Sequence, residues 1–231
     1  MVILNGMTSA SGALRYWERR QEITANNLAN VSTDGFKAER SFGSLLNGTP
    51  VAGTHIDRRA GNIRVTGDKM DVALGNDGFF VVETPNGERF SRGGHMTRDS
   101  EGFLADGSGN RVLGQSGPIA LTEGVVSFDA HGGVLVDGKK ADDLRVERAP
   151  VGATLAHEGG TLLVPGQERE PMQPGDIVVR GGCIEESNSD SVGSLVDMIS
   201  VQRAYAAVEK SITLLDHVRE TASSQLGRPT T

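Results

Sequence analysis

The chain has 231 residues, 37% of them hydrophobic and 4% aromatic, which suffices for the core of one large domain or two small ones. A formal charge of -7 and a pI near 5.3 exclude nucleic acid as the main partner, because phosphate binding needs a concentrated basic face. Thirty-one Gly against eight Pro without a G-X-Y period excludes collagen, and the single cysteine, Cys183, excludes an intrachain disulfide and a Cys-based zinc site.

In chain order, Met1-Val2-Ile3-Leu4 meets Asn5-Gly6 without the charged and apolar regions of a cleavable signal. Either a cytoplasmic protein or one exported without a cleaved signal peptide is therefore expected. Met7, Ala10, Leu14, Trp17, Gln21, Thr24, Leu28 and Val31 then follow at alternating steps of three and four, the seam of a pairing helix. The spacing predicts a helix over 7–31, capped at Asn5 or Thr8 and closed by a left-handed Gly35 in Thr33-Asp34-Gly35. Gln21 and Thr24 on that seam favour specific over maximal packing. Residues 36–68 are polar and Gly-spotted, an extended linker with short strands.

From Asp71 to Gly182, short apolar runs alternate with turn signals, among them Pro85-Asn86-Gly87, Gly132-Gly133 and Asp137-Gly138. Such dipeptides between β-rich runs predict hairpins, hence an antiparallel β domain of sandwich or partly open barrel type. Its longest apolar run, Phe79 to Val82, is too short to cross a bilayer, so a membrane-embedded protein is not expected. Ser187-Asn188-Ser189-Asp190 then offers N-caps for a last helix reaching about Gln225, before Gly227-Arg228-Pro229 stops it. Met198, Val201, Tyr205, Val208, Ile212 and Leu215 form its seam. Val192, Leu195, Val196 and Ile199 form a second apolar strip, so this helix is expected to touch more than one neighbour. The fold class that follows is mainly β: an antiparallel β-rich central domain flanked by N- and C-terminal α-helices that pair in a coiled-coil-like bundle. The expected division is 1–42 first helix, 43–70 linker, 71–182 β domain and 183–231 last helix.

Catalytic and metal motifs do not hold together. Gly133-Val134-Leu135-Val136-Asp137-Gly138-Lys139-Lys140 approaches a phosphate-binding loop, but Lys140 stands where Ser or Thr is required and no helix follows, so a hairpin turn is expected there. Asp106, Ser108 and Asn110 have calcium-loop spacing, yet Arg111 takes the Gly position and Gly117 that of the bidentate Glu. His55, His95, His131, His157 and His217 are scattered without ligand spacing. No enzyme, cofactor, metal or small-molecule substrate is indicated.

Periodicity alone leaves two readings of the terminal helices: packing between molecules, or a helical hairpin that closes the chain's own fold in a monomeric β-domain binding protein. A resemblance separates them. The stretch from Ala25 through Asn26, Asn27, Leu28, Ala29 and Asn30 to Gly35, Phe36 and Lys37 resembles the N-terminal signature of the flagellar basal-body rod and hook proteins. Glu186, Ser187, Asn188, Ser189 and Asp190, with Leu195 to Ile199 and Gln202-Arg203-Ala204-Tyr205, resemble their C-terminal signature. Thr66-Gly67, Leu74-Gly75 and the run from Asn76 to Val82 look like the family's entry into its β domain.

The resemblance implies a non-enzymatic axial subunit of the bacterial flagellar rod, a drive shaft that transmits torque. It implies passage through the flagellar type III export apparatus, assembly in the periplasm, and copies of itself and other flagellar rod proteins as partners. The family packs both terminal helices into the inner layer of a helical tube, and the matching interface residues here are Leu14, Trp17, Leu28, Val31, Leu195, Ile199, Tyr205 and Ile212. The short β domain suits a rod protein better than a hook protein. Leu214-Leu215-Asp216-His217-Val218-Arg219 looks more like the proximal-rod than the distal-rod type, with the distal type as the alternative.

Overall fold

The computed structural model describes the backbone of residues 2–46 and 49–226 and the side chains of residues 9–43 and 53–221, so the Met7 side chain and the Gly227-Arg228-Pro229 stop lie outside the described residues. The order of elements is one long helix, a run of short strands and a second long helix, mainly β, with the strand pairs of the second unit antiparallel among the described residues. The chain divides into two compact units. One holds both helices and residues 39–54, and the other holds residues 30–38 and 55–189.

In the first unit, helix α1 (Val2–Ala29) packs along helix α2 (Ser191–Leu226). Two corrections to the expected first helix follow. It begins at Val2, so Asn5 and Thr8 lie inside it and neither caps it. It ends at Ala29, because Asn30 starts a turn in which its carbonyl and side-chain oxygen accept the Thr33 amide and hydroxyl at 3.1 and 3.2 Å. Local side-chain bonding of this kind competes with the helix. Val31 is thus in a turn and not on the helix, and Gly35 does not close the helix although it does adopt a positive φ, of 75°. Residues 39–56, read as linker, form a hairpin of strands Glu39–Leu46 and Thr49–Ile56.

In the second unit, a ten-stranded sheet among the described residues is centred on strand Phe79–Thr84, which pairs with Gly87–Ser91, Arg111–Gly114 and Val146–Arg148. Successive side chains of a strand face opposite ways, so Phe80 and Val82 enter one core with Val72, Leu74, Met96 and Ile177. Phe79 and Val81 enter another with Ile56, Phe90, Leu113 and Leu163. Burial on both faces explains why Phe79 to Val82 is continuously apolar. Strands Gly133–Val136 and Lys139–Asp143 meet at Asp137-Gly138, both at positive φ (49° and 77°), the paired left-handed geometry of a tight hairpin. The near phosphate loop is therefore that turn.

The spacing at Asp106 also has a structural cause. Its carboxylate accepts the amides of Ser108 and Asn110, both at 2.9 Å, and Gly109 follows at φ 84°. Asp99 does the same with Glu101 and Phe103, and Asp129 with His131 and Gly133, followed by Gly102 and Gly132 at φ 89°. These are three copies of one D-x-x-G turn whose glycine supplies the left-handed residue.

Candidate assembly interface

Helix α1 is covered on two sides. Leu14, Trp17, Gln21 and Leu28 are half-buried and Thr24 is buried, the face that the seam spacing marks out. A second face, Gly12, Tyr16, Ile23 and Asn27, was not legible from the seam, and Ile23 at 4% exposed is among the most buried side chains of the helix. Part of this face meets the hairpin. Asn27 donates its amide to the Glu39 carbonyl at 2.8 Å and accepts the Glu39 amide at 2.9 Å, and Tyr16 lies against Gly43. Asn26 is half-buried and Ala29 is exposed.

Helix α2 is covered on one side only. Asp190 caps it, its carboxylate accepting the Val192 amide at 3.1 Å and its carbonyl the Ser194 amide at 2.9 Å. Met198, Tyr205, Val208, Ile212 and Leu215 are half-buried and Val201 is buried, as the seam requires. The second strip is bare: Val192, Leu195, Val196 and Ile199 are 50–69% exposed, and Leu214 and Val218 continue the exposure along the helix. Gln202 and Arg203 are exposed beside it. Ser200, Ser211 and Thr213 each donate a hydroxyl to the carbonyl four residues earlier, so these polar groups of the uncovered side are satisfied without water.

The remaining signature residues converge in the second unit on one strap, residues 35–38. The Gly35 amide donates to the Glu185 carbonyl at 2.6 Å, and a Cβ at Gly35 would stand 2.3 Å from the Arg92 backbone carbonyl. Phe36 stacks on His157 at 4.9 Å and 7°, and its carbonyl accepts the Asn188 amide at 3.3 Å. Asn188 also accepts the Ala38 amide at 2.7 Å and donates to the carbonyls of Asp57 and Arg59 at 2.8 and 2.9 Å. Ser187 accepts the Ser189 amide at 3.1 Å, which shapes the approach to the helix cap.

Beneath the strap lies an ionic cluster that sequence reasoning missed. Lys37 Nζ is 2.6 Å from Glu185 Oε1, and Arg92 Nε is 3.0 Å from Glu185 Oε2, all three side chains being 1–2% exposed. Lys37 also donates to the Arg59 carbonyl at 2.7 Å, Arg92 to those of Gly78 and Asn76 at 2.8 and 2.7 Å, and the Gly61 amide to Glu185 at 2.8 Å. His157 Nε2 donates to the Lys37 carbonyl at 2.8 Å. Burial lowers the pKa of both Lys37 and Arg92, against the attraction of Glu185. These contacts tie the strap to the second unit, with Arg92 Nε and Glu185 Oε2 meeting as an ion pair and not as a hydrogen bond. The only sequence signal was the position of Lys37 directly after Phe36.

Of the eight expected interface residues, Leu14, Trp17, Leu28, Tyr205 and Ile212 lie on the half-buried sides of the helix pair. Val31 is half-buried in the turn, and Leu195 and Ile199 face outward. Among the described residues, no three His, Cys, Asp or Glu side chains cluster as metal ligands, and no helix is long and apolar enough to cross a membrane.

Three family models match the chain. Residues 7–37 match "Flagella basal body rod protein", residues 73–136 match "Flagellar hook protein FlgE/F/G D1 domain", and residues 180–225 match "Flagellar basal body rod FlgEFG protein C-terminal". The chain is 30% identical to the flagellar basal-body rod protein FlgF of Escherichia coli K12, over 90% of this chain and 92% of that protein. It is 29% identical to FlgF of Caulobacter vibrioides, over 91% and 93% of the two chains. Against the rod protein FlgG of Bacillus subtilis it is 24% identical over 94% and 97%.

Proposed function

Since the chain belongs to the flagellar basal-body rod protein family, we propose that it is an axial rod subunit that assembles helically through its terminal helices into the torque-transmitting drive shaft. The observation that carries this reading is the bare strip Val192, Leu195, Val196 and Ile199. A contiguous apolar surface of this kind is expensive in water and marks a contact with another molecule. A monomer whose helices only close its own fold gives that strip no use. Leu14, Trp17, Leu28, Tyr205 and Ile212 then serve the helix pair, while Leu195 and Ile199 serve the neighbour.

The FlgF type, in the proximal rod, is favoured over the FlgG type. Support comes from the Leu214 to Arg219 segment and from several FlgF relatives at 29–30% identity over about nine-tenths of the chain, beside a FlgG relative at 29% over 87%. Export through the flagellar type III apparatus without a cleaved signal, and assembly in the periplasm with its own copies and other rod proteins, follow from the family resemblance.

Leu195→Asp and Ile199→Asp test the reading, because half-exposed side chains contribute little to the chain's own packing. Both variants are expected to abolish incorporation into basal bodies and swimming, with the circular dichroism and melting of the purified protein unchanged. Normal swimming by both would remove the strip from the interface. Cross-links mapped in isolated basal bodies check the placement, since contacts confined to the hook side would favour the distal type.

A further inference from the structure

Residues 177–188, the last stretch of the second unit, hold together three segments from its beginning. Strand Val179–Gly181 pairs with Val72–Leu74, and strand Cys183–Glu185 with Ile63–Val65. Ile177, Val179 and Ile184 are at most 5% exposed, the first two in the core that also holds Val72 and Leu74. Glu185 pairs with the buried cations Lys37 and Arg92, and Asn188 holds Ala38, Asp57 and Arg59. The side-chain hydrogen bonds of Glu185 and Asn188 span 124 to 150 residues of sequence. The hairpins of the same unit are local: Phe79–Thr84 with Gly87–Ser91, and Gly133–Val136 with Lys139–Asp143, are each joined by two residues. Pairing over a long loop must first offset the entropy of closing it, so it follows local pairing. Without residues 177–188, Lys37 and Arg92 would also have to be buried without their carboxylate, which holds the strap open.

We propose that residues 177–188 act as a latch: the second unit stays an open array of hairpins until they arrive, and closing it brings the chain leaving α1 beside the chain entering α2. In the closed unit the Gly35 amide donates to the Glu185 carbonyl, and the Phe36 carbonyl accepts the Asn188 amide. Gly35 lies six residues beyond the end of α1, and Asn188 three before the start of α2. Links this short raise the effective concentration of each helix at the other, so pairing of the two helices waits for the latch. Synthesis runs from the N-terminus, and the latch is the last piece of the unit to be made. The use of the latch rests on the rod reading: a chain exported before it assembles stays threadable, and presents no finished helix pair, until its end is free.

Refolding of the full-length protein from urea, followed by pulse-labelled amide exchange and by the fluorescence of Trp17, tests the order. Trp17 is the single tryptophan and lies on the half-buried side of α1. Amides of the Phe79 to Ser91 and Gly133 to Asp143 hairpins should become protected in a fast phase. Those of Gly35, Thr66, Gly75 and Gly182, which bond across the latch, should follow together about tenfold more slowly or more. The Trp17 signal should change at that slower rate. Glu185→Lys, which seats three cations together, should keep the fast phase and lose the slow one in exchange and fluorescence alike. Latch amides protected with or before the hairpins, a Trp17 change complete in the fast phase, or a Glu185→Lys variant that keeps both phases or loses both would each overturn the proposal. Absence of the wild-type chain from basal bodies would instead overturn the rod reading and leave the folding order standing.

Discussion

Two cations, Lys37 and Arg92, share the single carboxylate of Glu185 in a site from which water is excluded. Taking away the carboxylate would strand both, whereas taking away Lys37 leaves a balanced Arg92–Glu185 pair. Breaking a buried pair costs about 3–5 kcal/mol, while replacing a buried ion by an apolar side chain of similar volume is often neutral. Glu185→Gln is therefore expected to destabilise by about 3 kcal/mol or more, and Lys37→Met by about 1 kcal/mol or less, in urea unfolding. Equal losses would refute this division of roles. Burial, offset only in part by Glu185, also holds Lys37 below its ordinary pKa of 10.5. Between the folded and unfolded values the unfolded chain binds the extra proton, so stability rises with pH across that alkaline window. Lys37→Met should flatten the rise, and an unchanged slope would count against it. Gly35 and Gly67 both have positive φ, 75° and 77°, but only at Gly35 would a Cβ strike backbone. Gly67→Ala should cost about 1–2 kcal/mol from conformation alone, and Gly35→Ala clearly more. Matching melting curves for the two variants would mean that the Arg92 carbonyl yields.

At the scale of elements, the D-x-x-G turn is built the same way at Asp99, Asp106 and Asp129, which makes its energetics testable. The Asp129 carboxylate accepts two amides at 2.8 Å, so Asp129→Ala is expected to cost about 1–2 kcal/mol. Asp129→Asn keeps an acceptor and should cost less. Thermal melting of the two variants decides it, and an Asn variant as unstable as the Ala one would show that charge, not geometry, closes the turn. Of these turns only the one at Gly132-Gly133 was legible as hairpin punctuation, as were Asp137-Gly138 and both helix seams, because local spacing alone determines them, whereas the Asp106 turn showed only as calcium-loop spacing. The end of α1 was not, since Val31 continues the seam spacing while the Asn30–Thr33 bonds divert the backbone. The hairpin of residues 39–56 was missed because its sequence is polar and Gly-spotted, with pairing settled partly by contacts to α1 such as Asn27 with Glu39. The Lys37–Glu185 pair joins residues 148 apart in sequence, and no local pattern reports a contact of that range.

At the scale of the molecule, the two units bury their apolar residues to different depths, and the difference bears on when each becomes rigid. The second unit closes two cores whose central side chains, Phe79, Phe80, Val81 and Val82, are at most 1% exposed. In the helical unit most seam residues stay half-buried, and α2 keeps one whole side in water. Few fully buried contacts and many solvent-facing backbone hydrogen bonds place a segment at the low end of the local stability range. A neighbour that covers the bare side of α2 removes that water and raises the cost of opening, because binding only the folded form stabilises it by mass action. Amide exchange on the purified chain should accordingly show strong protection across residues 72–185 and weak protection in α1 and α2. In isolated basal bodies both helices should become protected, with the largest gain along the Leu195 to Leu214 side, and the β unit should change little. Strong protection of both helices in the dilute protein would mean that the pair is complete without neighbours, and would return the bare strip to the status of an ordinary exposed surface.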